Sequence, residues 1–125
     1  MTHPERVEDY LEHIAQAITR ATRYVESLDN AAALEQNEQI QDAVLRNILV
    51  IGEAANNIQK MDSTFVAAHP ELPWFEMRGM RNKMVHDYFD IDWKIVWSTV
   101  KDDLPRLKKQ IDGLLLGNRS PASMR

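Results

Sequence analysis

The segment RGMRNKMVHDYFDID, residues 78–92, concentrates the side chains that could do chemistry. Arg81, His86 and Tyr88 crowd into eight residues, and Arg78 and Lys83 add positive charge with no acid between positions 78 and 86. A guanidinium presents a planar fork that matches phosphate oxygens. An imidazole titrates near neutrality and can take or give a proton. A cation beside an acid–base group suits the chemistry of a phosphate ester. The chain has no cysteine, so a thiolate nucleophile and a thiolate metal site are both excluded. Asp9 and His13 lie one helical turn apart, but no third ligand converges on them, and no metal site is expected.

These residues must be positioned by a helix. Pro73 suits a first helical position, and WFEMRGMRNKMVHDY follows it. At about 100° per residue, Trp74, Met77, Met80, Met84 and Val85 form the apolar face. Arg78, Asn82 and His86 are spaced by four and make a polar stripe beside it. Arg81 instead falls between Met77 and Val85, within the apolar face. A guanidinium there is costly unless it is paired and hydrogen-bonded. It either reaches out along the bundle edge or pairs with a carboxylate such as Glu53, or it faces a cleft that binds an anion. His86 has a plain reading too, as a cation meeting the C-terminal end of a helix dipole. Arg81 and His86 are five residues apart and diverge by about 140° on a regular helix. One straight helix does not focus both on one phosphate. Either it unwinds before His86, or two copies supply the site across a two-fold axis.

The remaining elements are also helical. Val7, Leu11, Ile14, Ile18, Ala21, Val25 and Leu28 make one apolar seam, predicting a helix over 4–28. A second helix over 38–61 follows Asn37 as cap, with Ile40, Val44, Ile48, Ile51, Ala55 and Ile58 as its seam. Gly52 inside it costs roughly 1 kcal/mol of helix propensity, which close approach of another backbone explains. LDNAAALEQN reads as a connection, and DSTFVAAHPELP as an irregular one with room for one short turn. Trp93, Trp97, Val100, Leu104, Leu107, Ile111 and Leu114 outline a last helix that Pro105 should kink or split. Trp93 and Trp97 lie on that seam and are expected in the core rather than stacked on bases. No strand signal stands out. The expectation is an all-α, antiparallel four- to five-helix bundle, with a single domain over 1–116 and a flexible tail over 117–125.

Three blocks in order carry a family resemblance. LRNILVIGEAANNI (45–58), HPELPWFEMRGMRNKMVHDYFDIDWKIVW (69–97) and KDDLPRLKKQI (101–111) resemble the HepT-type HEPN proteins, and Arg81, His86 and Tyr88 match their R-x(4)-H-x-Y signature. The resemblance implies a homodimeric HEPN bundle with its motif helices facing each other. It implies metal-independent RNA cleavage without a cofactor, Arg81 holding the scissile phosphate and His86 acting as acid or base. Asn82 would orient the imidazole or bind phosphate, and Arg78 would guide RNA, either tRNA or messenger RNA. It further implies a toxin silenced by a MntA-like nucleotidyltransferase antitoxin, which transfers AMP to Tyr88. The alternative is a non-catalytic subunit that presents nucleotide or substrate to a nucleotidyltransferase.

Bulk properties set the limits. The chain has 125 residues and a formal net charge of −4, which argues against holding duplex nucleic acid through overall charge. A small basic site on an acidic body still accommodates a phosphate. The N-terminus lacks the basic start and apolar run of a secretory signal, and no apolar run approaches the ~20 residues that span a membrane. The expected compartment is the cytoplasm.

Overall fold

The computed structural model describes residues 6–86 and 90–119, the side chains of 81–86 and 118–119 excepted. It is an all-α bundle. The first helix, α1, spans Val7–Tyr24. Its seam holds as predicted: Leu11, Ile14, Ile18, Ala21 and Val25 are fully buried, with Val7 and Leu28 packed against the core. The helix starts three residues later than predicted because the Asp9 carboxylate accepts the Arg6 backbone N–H at 2.8 Å, capping the chain there. Beyond Tyr24, single turns carry the backbone to Leu28 through the Leu28 N–H to Val25 carbonyl bond, 3.0 Å.

The stretch read as a first connection contains a short helix, α2, Ala31–Glu35. Asn30 caps it by accepting from the Ala33 N–H at 2.9 Å, and Leu34 is fully buried. So short a helix is not stable alone; burying Leu34, a contribution of about 1.5–3 kcal/mol, offsets its nucleation cost.

Helix α3 spans Glu38–Met61, the predicted limits, with Asn37 accepting from the Ile40 N–H at 3.0 Å. It is the central helix, packed against α1 on one side and α5 on another. The second connection also holds a short helix, α4, Ser63–Ala68, capped by Asp62.

Helix α5 spans Trp74–His86. Then follow α6, Trp93–Ser98, a π-helical turn at Thr99–Asp103, and α7, Leu104–Arg119. The form of the predicted break at Pro105 is thus a π turn. A proline at 105 has no N–H for the Lys101 carbonyl and its ring crowds that carbonyl. The preceding turn widens, and the Leu104 N–H reaches back five residues to the Thr99 carbonyl. Helix α7 packs on α1, and α2 packs on α6. Trp93 and Trp97 are partly buried against the core, as expected from their seam.

Candidate functional site

The start of α5 is anchored by both apolar and polar contacts. Trp74 is buried, and its indole N–H donates to the His69 carbonyl at 2.8 Å. Phe65 of α4 lies between the two, 4.5 Å from the His69 ring and 6.1 Å from the Trp74 ring. Next to this anchor the Glu71 carboxyl is held below its ordinary value by its own backbone N–H and by the His69 ring 3.2 Å away. One turn on, Met77 is fully buried.

Arg78 then reaches across to α3. Its guanidinium donates to the side-chain oxygens of Asn56 and Gln59, each at 3.4 Å, long contacts that are nonetheless directional. Arg78 is half-buried, so it acts between helices as well as offering charge to solvent. On α3, Ile48, Gly52, Asn56 and Gln59 form one stripe at helical spacing. Gly52 is buried on the line of α3 that also carries Asn56.

With its first turns fixed, the register of α5 places everything after them. The backbone stays helical through His86. Arg81 follows Met77 by four residues and sits about 40° round from it, on the stripe that begins buried. His86 follows Gly79 by seven and sits about 20° from it. The two motif positions therefore diverge by about 140° on a helix that does not unwind between them. Of the two ways to bring Arg81 and His86 to one phosphate, unwinding before His86 is not what this backbone does. The side chains of Arg81, Asn82 and His86 lie outside the described residues, as does Tyr88 entirely.

Glu53, expected as a structural partner of Arg81, lies on the exposed side of α3 about 100° round from Gly52. It lines a shallow depression with Tyr10, His13 and Arg46. Asp9, which shares a face of α1 with His13, is engaged in the cap; the Arg6 N–H and guanidinium hold its carboxyl below the usual range.

The sequence comparisons point one way. A profile of ribonuclease HepT-like domains matches residues 14–114, most of the chain. The chain belongs to the HepT-like ribonuclease family. A protein named as a probable ribonuclease HepT in Thermococcus cleftensis is 40% identical over 110 residues, covering 86% of this chain and 94% of that protein. A candidate RNase of Caldanaerobacter subterraneus subsp. tengcongensis is 33% identical over 106 residues, covering 85% and 91%. Another candidate RNase, from Methanocaldococcus jannaschii, is also 33% identical over 106 residues, covering 85% and 94%. No solved structure gives a significant match. The HepT-like membership agrees with the resemblance in the three sequence blocks and with the all-α bundle. Among the described residues, no helix is long and apolar enough to cross a membrane.

The surface on the far side of α5 carries no signal in the sequence pattern of the buried face. Phe75 is 81% exposed, although it stands beside the buried Trp74. Its position on the wheel signals that it leaves the Trp74–Met77 face. What lies opposite it is a matter of tertiary structure.

Proposed function

We propose that this chain is the toxin of a toxin–antitoxin pair, a dimeric endoribonuclease that cleaves RNA without a metal. The observation that carries the reading is the motif on α5. Arg81 and His86 stand in a HepT-like ribonuclease chain, on a helix that stays regular to His86 and turns the two positions about 140° apart. A two-fold axis passing beside α5 would set Arg81 of one copy near His86 of the other. The composite cleft then gathers two arginines and two histidines, enough for a base and an acid at one scissile phosphate.

The reaction is an internal transesterification. A ribose 2′-hydroxyl loses its proton to one imidazole and attacks phosphorus, and the 5′-oxygen leaves with a proton from an imidazolium. The product end is a 2′,3′-cyclic phosphate or its hydrolysis product. Arg81 binds the phosphate and stabilises the charge that develops on its oxygens. Asn82 orients the ring or binds phosphate, Arg78 steers RNA while locking α5 to α3, and Glu53 balances Arg81. A nucleotidyltransferase antitoxin silences this cleft by adding AMP to Tyr88, where new negative charge and bulk obstruct the RNA backbone. The proposed setting is the cytoplasm, where substrate and antitoxin meet.

The test is cleavage of tRNA and a structured messenger RNA in EDTA, with wild type beside His86→Ala and Arg81→Ala. Cyclic-phosphate ends from the wild type alone are expected. No cleavage by well-folded, unmodified dimer would sink the nuclease and favour a subunit that presents nucleotide to a nucleotidyltransferase. A strictly monomeric species by light scattering at micromolar concentration would remove the composite site. Intact mass after incubation with the partner and ATP reads the modification of Tyr88.

A further inference from the structure

Charge is divided along α1. Glu8, Asp9 and Glu12 fall in its first half, whereas from Gln16 to its end at Tyr24 it carries Arg20 and Arg23 and no acid. Complementing the helix dipole accounts for Arg23, which stands in the last turn. That effect dies away within a turn, and Arg20 lies further in. Both guanidiniums are exposed, and among the described residues neither forms an ion pair.

The two arginines line a depression of about 360 Å³ between α1 and α7, together with Ala15, Gln16, Thr19 and Lys108. No carboxylate is among its described lining residues. The acids around it are accounted for. Asp112 binds Lys108 at 2.6 Å, so that lysine adds little net charge and the arginines carry the field. Glu12, one turn before Gln16, is already engaged. Glu26 lies in the turn beyond the helix. Lys101 adds a cation from the π turn, which packs against α1, and it lies over the Trp97 ring at 5.4 Å. The depression also offers an acceptor. The Thr19 hydroxyl donates its proton to the Ala15 carbonyl at 3.1 Å, which leaves its oxygen able to accept.

We infer that the α1–α7 depression holds the backbone of the RNA substrate at a distance from the motif, Arg20 and Arg23 taking phosphate oxygens and Thr19 accepting from a ribose 2′-hydroxyl. The identity of the ligand rests on the ribonuclease reading. Chemistry decides among the occupants. An amphipathic helix or a bilayer surface needs an apolar floor, and the Ala15 methyl is the sole apolar side chain among the described lining residues. A free phosphate meets the guanidiniums but brings no donor to Thr19. RNA brings a phosphate and a hydroxyl donor in each nucleotide. A body of net charge −4 repels a polyanion over most of its surface, so local cations set where the strand lies. The depression lies off the α5 face that the proposed two-fold gives to a second copy. Helices α1 and α5 both pack on α3, and no α3 residue is among the described lining residues. With neighbouring axes about 8–10 Å apart, α1 and α5 are separated by up to roughly 20 Å. RNA held at both places spans the bundle, so the depression selects long or folded RNA.

The test uses the full chain carrying His86→Ala, so that RNA stays intact, with a labelled folded RNA beside DNA of the same sequence. Binding is read by fluorescence anisotropy across a salt series, and the site by NMR shifts of the Ala15 and Thr19 methyl groups. RNA is expected to move both methyls. Arg20→Gln with Arg23→Gln, changes at exposed positions that should leave the fold intact, is expected to weaken RNA binding about tenfold and to lower the slope of log K against log salt by about 1–2. Thr19→Val is expected to lose preference for RNA over DNA while binding DNA as before. A control pair, Lys94→Gln with Arg106→Gln, removes the same charge elsewhere, Arg106 standing about 160° round α7 from Lys108. It is expected to change neither affinity nor slope. Equal losses in the two pairs would overturn the proposal as unspecific charge attraction, and unmoved methyls would overturn it by placing RNA elsewhere. Larger shifts with a helical peptide of Glu and Leu than with RNA would overturn it in favour of a protein partner. With His86 restored, the arginine pair is expected to raise KM for folded RNA about tenfold with kcat unchanged. A fall in kcat instead would overturn the proposal by tying the pair to the motif. Absence of cleavage from the wild type would sink the nuclease reading alone; affinity, slope and methyl shifts decide the depression without it.

Discussion

The two packed sides of α3 are made of different matter. Towards α1, Val44, Ile51, Ala55 and Ile58 are fully buried in one cluster with the α1 seam. Towards α5, the stripe is Ile48, Gly52, Asn56 and Gln59, and two of its four members hydrogen-bond to Arg78. Apolar contact stabilises in proportion to area and is indifferent to direction. Hydrogen bonds between side chains have direction and contribute less, about 0.5–1.5 kcal/mol each. The first side of α3 therefore supplies stability. The second sets the rotation of the helix that carries Arg81 and His86.

That division can be broken experimentally, beginning where the effect should be largest. His86→Ala is expected to lower RNA cleavage by about 10²–10⁴-fold, the range for losing a general acid or base, with little change in urea denaturation. Ile51→Ala should do the reverse: a loss of about 2–5 kcal/mol in denaturant unfolding, with cleavage per folded molecule retained. If Ile51→Ala reduced the rate of the folded fraction as His86→Ala does, the division would fail. Gly52→Val adds a branched side chain at a buried point on the Asn56 line of α3 and should cost about 1–3 kcal/mol. Because that line meets Arg78 of α5, cleavage should fall as well, which sets it apart from Ile51→Ala.

Smaller still is the double change Asn56→Ala, Gln59→Ala. The contacts at 3.4 Å are long, so a stability loss of at most about 1 kcal/mol is expected, with a measurable fall in cleavage. Loss of stability without loss of rate would show that Arg78 does not set the register of α5. The smallest effect belongs to neither side. Asp9 is lowered from an ordinary pKa of 3.8, chiefly by the Arg6 backbone N–H. A depressed carboxyl contributes stability above its unfolded value, and loses it as pH falls through the folded one. Asp9→Asn should flatten acid unfolding slightly below about pH 4, with no effect near neutrality.

Much of this was legible along the chain because its causes are local. The α3 limits follow from one cap, Asn37, and the α1 seam from a spacing that a single helix enforces. The short helices α2 and α4 are hard to see in sequence, α4 showing only as room for one turn, because five or six residues carry too little periodic signal; their support is burial of Leu34 and the packing of Phe65. Pro105 marked a break, but local rules do not choose between a kink, a split and a wide turn. Glu53 sat in an apolar stretch of sequence and lies on an exposed side of α3, since neighbours in sequence are about 100° apart on a helix.

By itself the sequence determined the helical class, the seams that bury the core, membership of the HepT-like family and the 140° divergence of Arg81 from His86. All of these depend on residue type and helical period. Only the tertiary structure decided which surfaces are covered. It put Asn56 and Gln59 against Arg78 of α5, and left Phe75 and Ile95 exposed. Burial is a property of what stands opposite a side chain, and no local pattern specifies what stands opposite.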